Sequence, residues 1–327
     1  MNYTQRKVKL MLSTKKAVRL AALAVGLTMM VTACGGGGGS SNSGALAGKS
    51  FTVGSKEFTE QKILGQIAIL VLEDAGAKVK DETGITGTTN VRKALTSGQI
   101  DMYWEYTGTG WTELLGNTAE NAATDSQELF DAVAKQDLQK NKVNWIAKTT
   151  ANDTYAFATS KETSDSTGVT SLSDYADLVN KDPSSATMCA AAEFLDRQDG
   201  WPGLEKAYGF KLPTSQITEV DLGIVFTAVP KGDPCKFGEV FETDGRIPAN
   251  KLVVLEDDKN YFVGYEVAMT VAAKTLKANP KLKDVLDPVA KKLTTEELQK
   301  LNAEVDVQGL PAAAVAKKWL QDNKLIG

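Results

Sequence analysis

The chain has 327 residues with 37 basic and 41 acidic side chains, a net charge of −4, and no histidine. Without histidine the Ser-His-Asp and Cys-His catalytic arrangements, the common zinc sites and the HExxH motif are excluded, and no GxSxG, Walker or GxGxxG string stands between a strand and a helix. An acidic balance also argues against nucleic acid, so the chain reads as a binding protein with no metal or cofactor rather than as an enzyme.

The first nineteen residues hold Arg6, Lys7, Lys9, Lys15, Lys16 and Arg19 and no acid, and an apolar stretch over 20–33 ends at Cys34. That stretch is too short to span a bilayer and has the layout of a secretory signal peptide, 1–33. Val31, Thr32, Ala33 and Cys34 resemble the lipobox of bacterial lipoproteins, which implies acylation of Cys34 and a Gly/Ser-rich tether over 34–48. Removing the signal leaves 294 residues with 31 basic and 41 acidic side chains, enough for two domains with real cores. Export also makes the remaining Cys189 and Cys235 candidates for a disulfide rather than two free thiols.

Next come a strand over 51–55 and a helix over 59–75, with Thr59 as cap and Gly76 as stop. The pattern continues with strand 77–80, helix 89–96, strand 100–104 and helix 126–141. A second series runs through strand 155–158, helix 173–180, strand 186–191, helix 203–208, strand 215–220, helix 222–229 and strand 237–241. Strands alternating with helices imply largely parallel sheets covered on both faces, and two series imply two sheets. Three helices close the chain at 281–293, 295–304 and 311–323, the second opened by a Thr294/Glu297 capping box. They are expected to pack back on the first lobe, so that the chain crosses between lobes near 152–156 and 250–262.

Residues 101–111, DMYWEYTGTGW, crowd Tyr103, Trp104, Tyr106 and Trp111 at a point where a buried strand ends in turn residues. Carboxyl ends of strands are where open α/β sheets hold ligands, so the cluster marks a candidate pocket.

Several strings together resemble the quaternary-ammonium binding proteins of osmoprotectant ABC importers. They are VGSKEFTEQKILG at 53–65, IDMYWEYTGTG at 100–110, NDTYAF at 152–157, EFLDRQDGWPGL at 193–204, ETDGRI at 242–247, LVVLEDDKNYF at 252–262 and LNAEVD at 301–306. The resemblance implies an α/β, two-lobed periplasmic-binding-protein fold of type II, with two mixed sheets flanked by helices and the ligand in the interlobe cleft. Lobe 1 would comprise 49–153 plus 260–327, and lobe 2 would comprise 154–259. It further implies a cage of Tyr106, Tyr155, Phe241 and Tyr265, with phenylalanine at 241 where relatives usually carry tyrosine. Lys56, Thr109 and Arg197 fall where relatives hold a carboxylate, and Asp153 stands near the cation.

The chemistry suits those residues. A trimethylammonium group has no N–H to donate, so charge and shape are the remaining handles, and aromatic faces answer both. A betaine would also gain charge-assisted hydrogen bonds from Lys56 and Arg197 that choline could not use. The implied protein is a monomeric, lipid-anchored, extracytoplasmic receptor. It would bind glycine betaine or a related betaine and deliver it to an ABC permease whose ATPase is a separate chain. A choline or carnitine receptor, or a sensing lipoprotein without transport, is the alternative.

Overall fold

The computed structural model describes residues 44–327; the expected signal peptide and Cys34 lie outside the described residues. Residues 45–48 form a turn whose Leu46 is buried and whose N–H donates to the Ala75 carbonyl at 2.8 Å, so this stretch is docked on the end of the first helix.

Among the described residues, ten strands form two five-stranded mixed sheets. β1 (Ser50–Lys56), β2 (Lys78–Ile85), β3 (Met102–Tyr106), β4 (Val143–Ile146) and β10 (Val267–Ala272) build the first, in the order β2-β1-β3-β10-β4. β1 runs parallel to β2 and β3, whereas β10 is antiparallel to β3 and β4. The second sheet has the order β7-β6-β8-β5-β9, from β5 (Tyr155–Ser160), β6 (Met188–Ala190), β7 (Ile217–Glu219), β8 (Phe237–Phe241) and β9 (Leu252–Val254). Here β6 pairs in parallel with β7 and β8, and β5 runs antiparallel to β8 and β9. Two antiparallel insertions make the sheets mixed, as the type II fold requires.

The chain passes from the first sheet to the second between β4 and β5, and returns between β9 and β10. The two crossing segments lie side by side, joined by a bridge between Asn152 and Glu266. The closing helices Thr295–Asp306 and Ala312–Asp322 both pack on the first long helix, Thr59–Asp74, with Val315, Trp319 and Leu320 buried. Apolar faces at helical spacing explain this, since neither short helix could bury its stripe alone.

Three local readings change. Phe58, not Thr59, occupies the cap of Thr59–Asp74, and the Thr59 hydroxyl donates instead to Asp306 at 2.6 Å, tying the first helix to the closing ones. Thr294 does cap its helix by accepting from the Glu297 N–H, but the Glu297 carboxylate accepts from the Trp319 indole and from Lys300 rather than completing a box. Finally, β4, β9 and β10 had no counterpart in the periodicity reading. Two of them are three or four residues long, and β10 is a continuous buried run with no alternation to detect.

Cys189 and Cys235 are joined by a disulfide, with Cα atoms 5.5 Å apart and a separation of 46 positions in sequence. It ties β6 to the residue two before β8, close behind the wall of the cleft. Closing a loop of that length stabilises by about 4 kcal/mol in the chain-entropy model. The Cys189→Ala/Cys235→Ala double variant should therefore show a denaturant midpoint lowered by a comparable free energy, and thiol titration of the unfolded, unreduced wild type should find this pair unreactive.

Candidate ligand-binding site

A cavity of about 770 Å³ opens between the sheets, lined from the ends of β1, β3 and β8, the start of β5 and the approach to β10. Its apolar wall is a row of rings. Tyr155, first residue of β5, pairs in register with Phe241, last residue of β8, and their ring centroids are 5.0 Å apart. Tyr265 meets the Tyr155 ring edge-on at 5.4 Å and 87°. Phe58 stacks on Phe241 at 5.5 Å and continues to Tyr106 at 6.3 Å. Tyr265, Tyr155, Phe241, Phe58 and Tyr106 thus form one contiguous surface, within which Phe58 had gone unrecognised as a site residue. Its place in a helix-start string, KEFTEQ, disguised it, because a ring there reads as a core residue.

Gly108 is what lets Tyr265 take its position, since a Cβ at that residue would lie 2.7 Å from the ring. Of the four aromatics in 101–111, Tyr106 alone lines the cavity; Tyr103, Trp104 and Trp111 are core. Strand parity separates them, with Met102, Trp104 and Tyr106 packed in one core and Tyr103 with Trp111 in another.

The polar residues are more heavily engaged than their types suggest. Lys56 lines the cavity, but its Nζ is 2.7 Å from the buried Glu105 carboxylate and 5.1 Å from the Tyr106 ring centre. Arg197 lies behind the wall rather than in it. Its guanidinium forks onto Asp199 at 2.6 and 2.8 Å, reaches Glu193 at 3.3 Å and covers the back of Tyr155 at 5.6 Å. Thr109 lines the cavity, buried.

Asp153 also lines the cavity, and Glu60, in the first turn of Thr59–Asp74, stands beside it. The Thr243 Oγ is 2.5 Å from Glu60 and also in contact with Asp153. A hydroxyl has one proton to give, so it can donate to only one of the two carboxyls and must accept from the other, which requires a protonated acid in the pair. Glu60 further accepts from the Tyr106 hydroxyl at 2.9 Å and from the Asn302 amide at 2.9 Å. Burial raises the pKa of both acids, and the charge of Glu60 raises Asp153 further. This knot gathers the first helix, the crossing segment, the end of β8 and Thr295–Asp306 at the floor of the cage.

Two further contacts link the first-sheet side to the segment after β6. Thr88 donates to Glu193 at 2.6 Å, and Thr112 donates to Asp199, which also accepts from the Tyr265 hydroxyl at 3.0 Å. Burial raises the tyrosine hydroxyl pKa values of Tyr106, Tyr155 and Tyr265 well above their ordinary range, so all three present neutral rings. Among the described residues there is no group of His, Cys, Asp and Glu able to hold a metal, and no helix is long and apolar enough to cross a membrane.

Two lobes around a ring-lined cleft define a solute-binding protein of the type II class. Residues 49–322 match the family described as the substrate binding domain of the ABC-type glycine betaine transport system, and the chain belongs to that family. It is 33% identical to the glycine-betaine-binding protein of Pseudomonas aeruginosa, over 87% of this chain and 91% of that one. It is 32% identical to the glycine betaine-binding protein YehZ of Escherichia coli, over 83% and 90%. Among solved structures, apo YehZ from E. coli superposes with a TM-score of 0.62 over 85% of this chain and all of that one. A glycine betaine/carnitine/choline ABC transporter structure gives 0.68 at 25% identity over 84% and 99%.

The raised acids set a pH dependence. The native pKa values of Glu60 and Asp153 exceed those of the unfolded chain, so the native state holds protons that the unfolded state releases. Stability is therefore lost as pH rises above about 4, the unfolded carboxylate range, toward the raised native values. The melting temperature should fall between pH 5 and 8. Asp153→Asn, whose amide can donate to the Thr243 hydroxyl at every pH and leave that hydroxyl to donate to Glu60, should make that fall shallower, and an unaltered slope in the variant would contradict the shared proton.

Proposed function

We propose that this chain is a receptor for glycine betaine or a closely related betaine, and that it delivers the solute to an ABC permease whose ATPase is a separate chain. The row of five rings across the interlobe cavity carries the reading. Ring faces attract a methylated cation that offers no hydrogen-bond donor, and each desolvated contact contributes about 2 kcal/mol. Three or four such contacts supply about 6–8 kcal/mol before the cost of association, so micromolar affinity also draws on burial of the methyl groups and on contacts to the far end of the solute. The names of the relatives from P. aeruginosa and E. coli support the choice of betaine.

In this reading the protein is a monomer and not an enzyme. Residues 1–33 are removed on export, Cys34 is acylated, and the part of 34–48 that precedes the docked turn at 45–48 tethers a body made of lobe 1, 49–153 plus 260–327, and lobe 2, 154–259. Tyr106, Tyr155, Phe241 and Tyr265 enclose the cation with Phe58 added, Asp153 and Glu60, sharing one proton, place a single negative charge beneath it, and Lys56, Thr109 and Arg197 orient or support the far end. Solute contacts from both lobes favour the closed state, which the permease reads.

One observation favours a second reading. Lys56 and Arg197 already have carboxylate partners, and Glu57, Glu193, Glu219 and Asp221 line the same cavity. Such a wall suits choline, which has no carboxylate. Calorimetric titration with glycine betaine, choline, carnitine and a neutral amino acid separates the two. Tight binding of glycine betaine over choline supports the first reading, the reverse supports the second, and silence for every quaternary amine overturns both. Tyr155→Ala should weaken binding of the preferred solute by about 2 kcal/mol, roughly thirtyfold.

A further inference from the structure

Glu239 sits in the middle of β8, flanked by the two residues of that strand that point the same way, Phe237 and Phe241. It is 1% exposed, yet it lines the cavity. Its carboxyl accepts one hydrogen bond, from the Ala191 N–H at 2.7 Å, and forms no ion pair among the described residues. A carboxylate buried in an apolar strand with a single neutral donor is poorly solvated.

The groups facing it explain how it is left so. From β5, across the strand pair, stand Phe157 and the neutral phenol of Tyr155. From the segment after β6 stand Glu193 and Arg197, whose charges act on it in opposite directions. Arg197 is already committed to Asp199 and Glu193. Glu193, against the cost of its burial, is held ionised by the charge of Lys56, the Thr88 hydroxyl and Arg197. The local cations are thereby used up. Burial pushes the Glu239 carboxyl up to about 8, with the charge of Glu193 adding to the effect.

We propose that Glu239 stands in the cavity wall as a neutral carboxylic acid that donates its O–H to the carboxylate of the bound solute, and so selects betaines over choline. The inference rests on the betaine reading above and supplies the donor that the paired Lys56 and Arg197 leave wanting. An acid-to-carboxylate hydrogen bond is charge-assisted and short, and it is lost when the acid ionises. Choline offers no carboxylate and gains nothing from that proton. Ionisation of Glu239 would turn the same wall from a donor into a repelling charge for betaine, and into an attractive one for choline.

Titrating wild-type protein and Glu239→Gln with glycine betaine and with choline between pH 6.5 and 9 tests this. With a free-protein value of about 8, wild-type affinity for glycine betaine should be about tenfold weaker at pH 9 than at pH 7, with no such fall for choline. Glutamine keeps an N–H donor at every pH, so the betaine profile of Glu239→Gln should be level. A level wild-type betaine profile, the same fall for choline, or a fall that survives in Glu239→Gln each overturns the proposal. Should the variant not fold, the two wild-type profiles decide. Absence of betaine binding by the wild type at pH 7 is a different failure: it removes the functional reading itself, and this inference with it.

Discussion

The antiparallel register of β5 on β8 sets Tyr155 opposite Phe241 and Phe157 opposite Glu239, and the site depends on that pairing. Side chains on a strand alternate between faces, so a slip of β5 by one residue would turn Tyr155 away from the cleft and bring Ala156 into it. The disulfide anchors β6 beside β8 and so helps to hold the sheet in which this register is set. From the other lobe, Tyr106 leaves the end of β3 and Phe58 the end of β1, and their rings extend the surface across the cleft. Ring faces from both sheets converge because each sheet presents strand ends to the gap.

Electrostatics completes the arrangement. A quaternary ammonium ion loses its hydration on entering such a site, and ring quadrupoles replace it only in part. The protein places acids close by yet leaves few of the buried ones without a compensating partner. Glu60 and Asp153 cannot both ionise while sharing the Thr243 hydroxyl, Glu105 is neutralised by Lys56, and Asp199 by Arg197. The result is a field that favours a cation without accumulating unpaired buried charge, which would cost several kcal/mol per ion. The same acids and hydroxyls join the lobes, so the groups that shape the site also hold the closed arrangement.

Much of this was legible in the sequence. The first helix, the β3 strand with its ring cluster, and the alternation of strands and helices follow from periodicity, and the family resemblance pointed to Tyr106, Tyr155, Phe241 and Tyr265, all of which line the cavity. What escaped notice did so for physical reasons. Phe58 occupies a helix cap where a ring is ordinarily core, and its contribution depends on stacking with residues about 50 and 180 positions away. Glu239 lies inside an apolar strand, where an acid reads as an exception, and its meaning comes from the cations that Glu193 and Asp199 have already taken. Lys56 and Arg197 were legible as charges but not as pairs, since Glu105 and Asp199 become their partners only in the folded chain. Three rings of the 101–111 cluster belong to the core because parity and packing, not composition, decide which side chain reaches the cleft.

The central claim is that ring faces recognise the methylated cation itself, whatever the rest of the solute carries. Competition calorimetry with tetramethylammonium, which has the cation and nothing else, tests it most directly. The account predicts that tetramethylammonium binds weakly, displaces the preferred solute and loses that ability in Tyr155→Ala, whereas ammonium at the same concentration does neither. Equal behaviour of the two ions, or undiminished competition in Tyr155→Ala, would contradict it.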